Sequence, residues 1–156
     1  MSNTQIRKGK PEDIPELLKL IKELAVFEKA ENEVIMTEDQ LLESGFGGNK
    51  QYDFIVAESG NETQGIALYF NKFSTWKGKV IHLEDLIVKQ HLRQNGIGTL
   101  LFEAVIKIAK KEKAQRMEWQ VLDWNKPAIT FYDKYKTEYG NEWLNARLTH
   151  EQLQAS

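Results

Sequence analysis

Apolar and polar positions along this chain change their period several times, and each change marks an element. Ile6 sits in a short first strand over 4–8. Pro11-Glu12-Asp13 opens a helix, with the proline and both acids in the first turn, where the helix dipole favours them. Its apolar positions Ile14, Leu17, Leu18, Leu20, Ile21, Leu24 and Ala25 recur at helical spacing. Thr37-Glu38-Asp39-Gln40 reads as a capping box that starts a second helix, which stops near Gly45. Two strands over 52–58 and 63–70 are joined by Ser59-Gly60-Asn61-Glu62 as a hairpin, and 80–88 forms the third strand of the meander.

That third strand runs into Arg93-Gln94-Asn95-Gly96-Ile97-Gly98, and a helix over 99–109 follows at once. Leu100, Leu101, Ala104, Val105 and Ile108 give this helix one apolar stripe, suited to packing on a sheet. An alternating strand over 116–122 comes next. Asp123-Trp124-Asn125-Lys126-Pro127 then caps and starts a short helix through Tyr135, and a last strand lies near 143–148, before a polar tail. The order βααβββαβαβ mixes antiparallel hairpins with one helical crossover, which predicts an α+β fold, a sheet with helices on its faces. Neither a repeat nor a linker interrupts the pattern, so residues 1–156 read as a single domain.

The glycine turn is the chemically suggestive element. A strand feeding a glycine-spaced bend at a helix N-terminus can hold a pyrophosphate, because glycines admit close approach, amides point at the anion and the dipole favours negative charge. The turn lacks the Gly-Lys-Ser/Thr ending of a P-loop and the three-glycine dinucleotide fingerprint. The same spacing also suits a plain helix entry, and spacing alone does not choose between them.

Composition narrows the possibilities. With 41% apolar residues a packed core is expected, and a formal charge of −2 argues against a nucleic-acid partner held by a broad basic face. The absence of cysteine removes disulfides, thiolate metal sites and a cysteine acyl intermediate. No apolar run approaches the roughly 18 residues of a membrane span, and the polar start Met1-Ser2-Asn3-Thr4-Gln5 is unlike a signal peptide. A cytoplasmic protein without a membrane partner is expected. His82, His91 and His150 lack metal-ligand spacing, so no metal is expected; His82, beside Leu83, is placed to flank a cleft. Lys110-Lys111-Glu112-Lys113 reads as a solvated helix end.

Taken together, these residues resemble the GCN5-related N-acetyltransferase (GNAT) superfamily. Arg93-Gln94-Asn95-Gly96-Ile97-Gly98 matches its Gln/Arg-x-x-Gly-x-Gly/Ala signature. Further blocks resemble the spermidine/spermine (diamine) acetyltransferase group, including thialysine acetyltransferase-like members. These are Leu20-Ile21-Lys22-Glu23-Leu24-Ala25 with Phe27-Glu28, Gly45-Phe46-Gly47, Thr75-Trp76-Lys77-Gly78-Lys79 leading to Leu83-Glu84-Asp85, and Asp123-Trp124-Asn125 with Phe131-Tyr132. The resemblance implies a central mixed, mostly antiparallel sheet, acetyl-CoA as co-substrate, a small amine as acceptor and a homodimer. It assigns the pyrophosphate loop to Gln94, Asn95, Gly96, Ile97, Gly98 and Thr99, with Arg93 beside them. It assigns the pantetheine-binding strand to Leu86, Ile87 and Val88, and further cofactor contacts to Asn125, Pro127, Ala128 and Tyr132. Tyr132 falls at the coenzyme sulfur, and Phe27, Glu28 and Glu84 at the amine. Two departures bear on which amine is accepted: Lys134-Tyr135-Lys136 stands where the family usually has a glycine, and Asn141 replaces an acid, although Glu142 is adjacent.

The chemistry asks for such residues. An alkyl amine with a pKa of about 10.4 is protonated at pH 7, and freeing its lone pair costs about 4.6 kcal/mol. Carboxylates must therefore attract the cation and help remove its proton. Strand alternation sends Glu84 and Asp85 to opposite faces, and Glu84 is taken as the catalytic acid–base group, acting through an ordered water. Glu28 supplies attraction, and Glu118, which shares a strand face with Gln120, lines the same cleft. Tyr132 donates to the departing sulfur, as a tightening hydrogen bond rather than a full proton transfer. Backbone amides near Leu86 or Val88 can meet the developing oxyanion only if the strand splays or bulges there. Trp76 and Trp143 are candidates to shape an amine channel. With no cysteine and no serine–histidine pair evident, direct attack in a ternary complex is favoured. A protein amine as acceptor, and a non-catalytic acyl-CoA sensor, are the rival readings.

Overall fold

The computed structural model describes residues 3–156 in two units, one running to Gln120 and the other Val121–Ser156. In the first, strands β1 (Gln5–Lys8), β2 (Asp53–Ser59), β3 (Glu62–Ser74), β4 (Gly78–Val88) and β5 (Arg116–Glu118) form one sheet in the order β1-β2-β3-β4-β5. The first four pair antiparallel, and β5 joins β4 in parallel. The mixed, mostly antiparallel α+β sheet expected from the pattern is therefore present.

Both faces of this sheet are covered, which is why Phe54-Ile55-Val56-Ala57 is a continuous buried run and not an alternating one. Helices α1 (Ile14–Phe27) and α2 (Glu38–Phe46) bury Leu17, Leu20 and Leu41 against Phe54, Val56, Ile66, Leu68 and Ile87. Helix α3 (Ile97–Lys111) packs on β2, β3 and β4 with Leu101, Phe102 and Val105 fully buried. β3 and α3 approach so closely that a Cβ at Gly65 would lie 2.6 Å from the Ile87 carbonyl and 3.1 Å from Leu101. Helix α1 starts after a 3-10 turn at Pro11–Asp13, one turn later than the proline suggested. Arg7 clamps that turn, its Nη1 lying 2.8 Å from Asp13 Oδ2 and its Nε 2.8 Å from Glu58 Oε1. The clamp sets where α1 begins, and so where Glu28 emerges at its end.

Strand β5 is shorter than the expected 116–122, and the reason lies in its neighbour. The ladder pairs Val80, Ile81 and His82 with Arg116, Met117 and Glu118 and stops there. Just beyond, β4 bulges: Leu83 pairs with Tyr69 and Asp85 with Leu68, leaving Glu84 as the extra residue. Trp119 then has no strand to follow and instead sets its ring edge-on to Phe102 of α3, 5.1 Å between centroids.

In the second unit, helix α4 covers Lys126–Asp133 and helix α5 His150–Ala155. The strand expected near 143–148 is not formed, and Trp143, Leu144 and Leu148 are exposed. A strand needs a ladder partner, and the five-strand sheet takes none of its members from this segment. The helix expected through Tyr135 ends two residues earlier, in a turn that carries Lys136 at φ 56. Left-handed backbone at that position makes the bend at a residue that carries a Cβ.

Candidate active site

The bulge in β4 brings together what alternation was expected to separate. Asp85 pairs with Leu68 on the face covered by α1, and Glu84, displaced by the bulge, contacts His82, whose ring stacks on Phe70 of that same face. Glu28, just past the end of α1, is raised by the charge of Glu84 and in turn raises Asp85. Three carboxylates thus come within electrostatic reach of one another, and the bulge corrects the expectation that regular alternation sends Glu84 and Asp85 to opposite faces.

Their protonation follows from burial and mutual repulsion. Burial, then the charges of Glu84 and Glu28, push the Asp85 carboxyl up to about 7. Glu28 is raised for the same reasons, burial first and Glu84 second. Glu84 goes the other way, because the His82 contact favours its ionised form over the opposing effect of burial. One carboxylate is held charged beside another poised near neutrality. Sequence reasoning passed over Asp85; the usable signal was two adjacent acids in an apolar strand, which regular alternation would have forced one of to bury.

Beyond His82 the outer edge of β4 has no ladder partner among the described residues, and Leu86 and Val88 lie on that stretch. Ile87 turns its side chain into the core, 3% exposed, and can meet a ligand only through its backbone. After β4, Gln94 at φ 67 and Gly96 at φ 82 curl the chain into the start of α3. Gly96 is the N-cap, no side chain caps the helix, and its first turn holds no acid. A Cβ at Gly96 would meet nothing within 4 Å, and one at Gly98 would only touch Val88, at 3.8 Å. The uncapped amides of Ile97, Gly98 and Thr99 are donors of the kind that a pyrophosphate occupies. Around them Asn95 Nδ2 donates to the Leu92 carbonyl at 3.1 Å and Arg93 Nε to the Val88 carbonyl at 3.2 Å. The Arg93 guanidinium also lies over the Phe27 ring, 5.7 Å from its centroid, which brings the predicted amine-site residue Phe27 to the loop.

Glu118 is already engaged: Lys72 Nζ and His82 Nδ1 each lie 2.8 Å from its Oε2, and Arg116 Nε lies 3.2 Å from Oε1. Trp76, at the β3–β4 turn, is 83% exposed.

The second unit carries the remaining predicted residues on or beside α4. Asn125 is its N-cap, its Oδ1 accepting from the Ala128 amide at 3.4 Å, and Pro127 occupies the first turn, where a missing N–H costs nothing. Tyr132 is the buried residue of the helix, its ring edge-on to Phe131 at 5.2 Å, and its carbonyl accepts from Thr137 Oγ1 at 2.6 Å. Trp143 is 81% exposed. Among the described residues no His, Asp and Glu group is arranged to hold a metal, and no helix is long and apolar enough to cross a membrane.

Comparison with known proteins identifies the family. Thialysine N-epsilon-acetyltransferase of Mus musculus is 33% identical over 164 residues, covering 98% of this chain and 96% of its own. Spermidine/spermine N(1)-acetyltransferase-like protein 1 of Homo sapiens is 36% identical over 139 residues, which are 85% of this chain and 20% of that longer protein. The solved structure of an integron cassette protein from the mobile metagenome of V. cholerae shares the fold, with a TM-score of 0.79 at 22% identity, over 98% of this chain and 96% of that one. Residues 15–136 match the acetyltransferase (GNAT) family. The chain belongs to that family and is an N-acetyltransferase.

Proposed function

We propose that this chain, as one domain over 1–156, moves the acetyl group of acetyl-CoA to a primary amine of a small di- or polyamine or of a lysine-like amino acid such as thialysine. The observation that carries the reading is the convergence of Glu28, Glu84 and Asp85 at the bulge of β4, the strand that leads on to the glycine turn. A small cation fits three clustered carboxylates, since each ionised acid stabilises it and it relieves their repulsion. Acetyl-CoA, when bound, supplies the activated acyl carbon.

Overall, R–NH3+ and acetyl-CoA give R–NH–acetyl, CoA–SH and one proton, so a C–N bond forms as a C–S bond breaks. Of the two protons leaving nitrogen, one ends on sulfur and one in solvent. Glu84, held ionised, takes the first through an ordered water; Asp85 and Glu28 hold the cation until it is lost. Leu86, Ile87 and Val88 present backbone groups along the unpaired outer edge of β4, and the segment from Arg93 to Thr99 cradles the diphosphate. Asn125, Pro127 and Ala128 place the start of α4 as a further cofactor contact, and Tyr132 donates a hydrogen bond that tightens as sulfur gains charge. Glu118 borders the amine site. A cytoplasmic homodimer belongs to the same reading.

The deciding experiment is thiol release from acetyl-CoA across putrescine, spermidine, spermine, thialysine and lysine, against a lysine-containing peptide. Turnover with a free amine supports the reading; turnover with the peptide alone, or with none, overturns it. Gly96→Ala is expected to weaken coenzyme A binding about tenfold by calorimetry, since left-handed backbone at a residue with a Cβ costs about 1–2 kcal/mol and the cradle relaxes. Unchanged affinity would place the diphosphate elsewhere.

A further inference from the structure

Arg93 is a cation without an anion. Its Nε donates to the Val88 carbonyl at 3.2 Å, which leaves the donors of both Nη groups for another partner. Among the described residues no carboxylate pairs with it. Lys89, also at the end of β4, shows the contrast: its Nζ lies 3.3 Å from Glu16 Oε2, so that charge is already matched.

The main chain of Arg93 belongs to the glycine turn, but its side chain leaves it. The guanidinium lies over the Phe27 ring, 5.7 Å from the centroid, at the end of α1. Phe27 is followed by Glu28, which is raised by Glu84 and raises Asp85. A positive group therefore stands beside the residue that precedes a cluster of three acids, and none of them neutralises it. An aromatic face under a guanidinium also holds it in place, which reduces the entropy that binding an anion costs.

We propose that the Arg93 side chain binds the carboxylate of an amino-acid acceptor whose distal amine enters the Glu28, Glu84 and Asp85 cluster, so that this residue selects lysine-like amino acids over plain diamines. The proposal rests on the amine-acetylation reading above and narrows its substrate class. Both kinds of acceptor bring a reacting amine and a second ammonium group. Only the amino acid also brings a carboxylate, which the three acids repel. Left to itself the cluster favours the diamine. A guanidinium at the margin reverses that preference, because it cancels the repulsion and offers two parallel N–H···O bonds that a diamine leaves unused. Reach agrees as well. An extended lysine-like acceptor separates its terminal nitrogen from its carboxyl carbon by roughly 7 Å. Phe27 and Glu28 are consecutive, so an acceptor of that length can engage both ends of the site.

The test uses the full chain at saturating acetyl-CoA and pairs of acceptors that differ only in the carboxylate: thialysine against bis(2-aminoethyl) sulfide, and lysine against cadaverine. The readout is the ratio of kcat/KM within each pair, corrected for the two equivalent ends of the diamine. A loss of cofactor affinity or of folded protein lowers both members alike and does not move this ratio. Wild type is expected to favour the amino acid. Arg93→Gln should lower the ratio about tenfold, the low end for a hydrogen bond to a charged group, because Arg93 is exposed. Arg93→Lys keeps the charge but loses the fork, and its ratio should fall between the two. An unchanged ratio in Arg93→Gln overturns the proposal, and a raised KM for acetyl-CoA alongside it would assign the side chain to the diphosphate instead. A wild type that prefers the diamine of each pair overturns it equally. Should Arg93→Gln turn over neither acceptor, wild type with the amide of thialysine decides: kcat/KM about tenfold below that of thialysine supports the proposal, and equal values overturn it. A wild type that acetylates no free amine overturns instead the reading on which the proposal rests.

Discussion

Glu84→Gln is expected to lower kcat for amine acetylation by roughly 10²–10⁴-fold, the usual range for a proton-transfer group, with coenzyme A affinity by calorimetry unchanged within about twofold. The substitution keeps the shape of the side chain and its place in the bulge while removing the charge that His82 stabilises. It also removes one of the two charges that raise Asp85, so the residual activity should follow a pH limb shifted below about 7. Tyr132→Phe should show a loss of similar size for a different reason: the ring stays in its buried place beside Phe131, and the only atom missing is the phenol oxygen. Steady-state kinetics from pH 6 to pH 9 read both. Near-normal turnover in the pair would remove these roles while leaving the family and the fold untouched.

Asp85→Asn is expected to stabilise the protein at alkaline pH while weakening its hold on the amine. The Asp85 carboxyl is pushed from 3.8 up to about 7 by burial and by Glu84 and Glu28, so the folded chain binds a proton there that the unfolded chain releases near 4. Stability from this group is therefore complete below pH 4, is lost progressively as pH rises, and is gone above about 7. Asparagine is free of that penalty. The variant should match wild type at pH 4 and exceed it by on the order of 2–4 kcal/mol at pH 8.5, a shift of roughly 5–10 °C in Tm. Amine affinity should show the mirror image. In wild type it should strengthen as pH rises through about 7, when Asp85 ionises to meet the cation, and in Asp85→Asn that strengthening should be absent. Equal melting temperatures at pH 8.5 would mean that Asp85 is solvated or paired, and the carboxylate cluster would lose its middle member.

Much of the fold was legible along the chain because its signals are local. Capping residues, turn glycines and helical spacing mark α1, α2 and α3 to within a few residues, since each depends on neighbours four or fewer positions away. The expected strand over 116–122 and the expected strand near 143–148 fared differently, because a strand exists only where another backbone accepts its ladder. Whether β4 would supply that ladder depended on where β4 bulged, and nothing in Arg116-Met117-Glu118 or in Trp143-Leu144 carries that information. The candidate site divides in the same way. Gly96 and Gly98 marked the glycine-spaced entry to α3 from their spacing, whereas Asp85 went unassigned and His82 was placed only as flanking a cleft.

The order of residues alone determined the helices α1 to α3, the three-strand meander, the glycine-spaced helix entry, and the presence of Glu28, Glu84 and Glu118 as acids. Tertiary structure decided which of those acids share a space and in what state of charge. One extra residue in β4 against β3 cancels the period-two rule at Glu84, and Glu84, Asp85 and Glu28 come within electrostatic reach of one another. Pairing register is set by packing between segments far apart in the chain, and a carboxyl's proton affinity by burial and by charges brought near it through space.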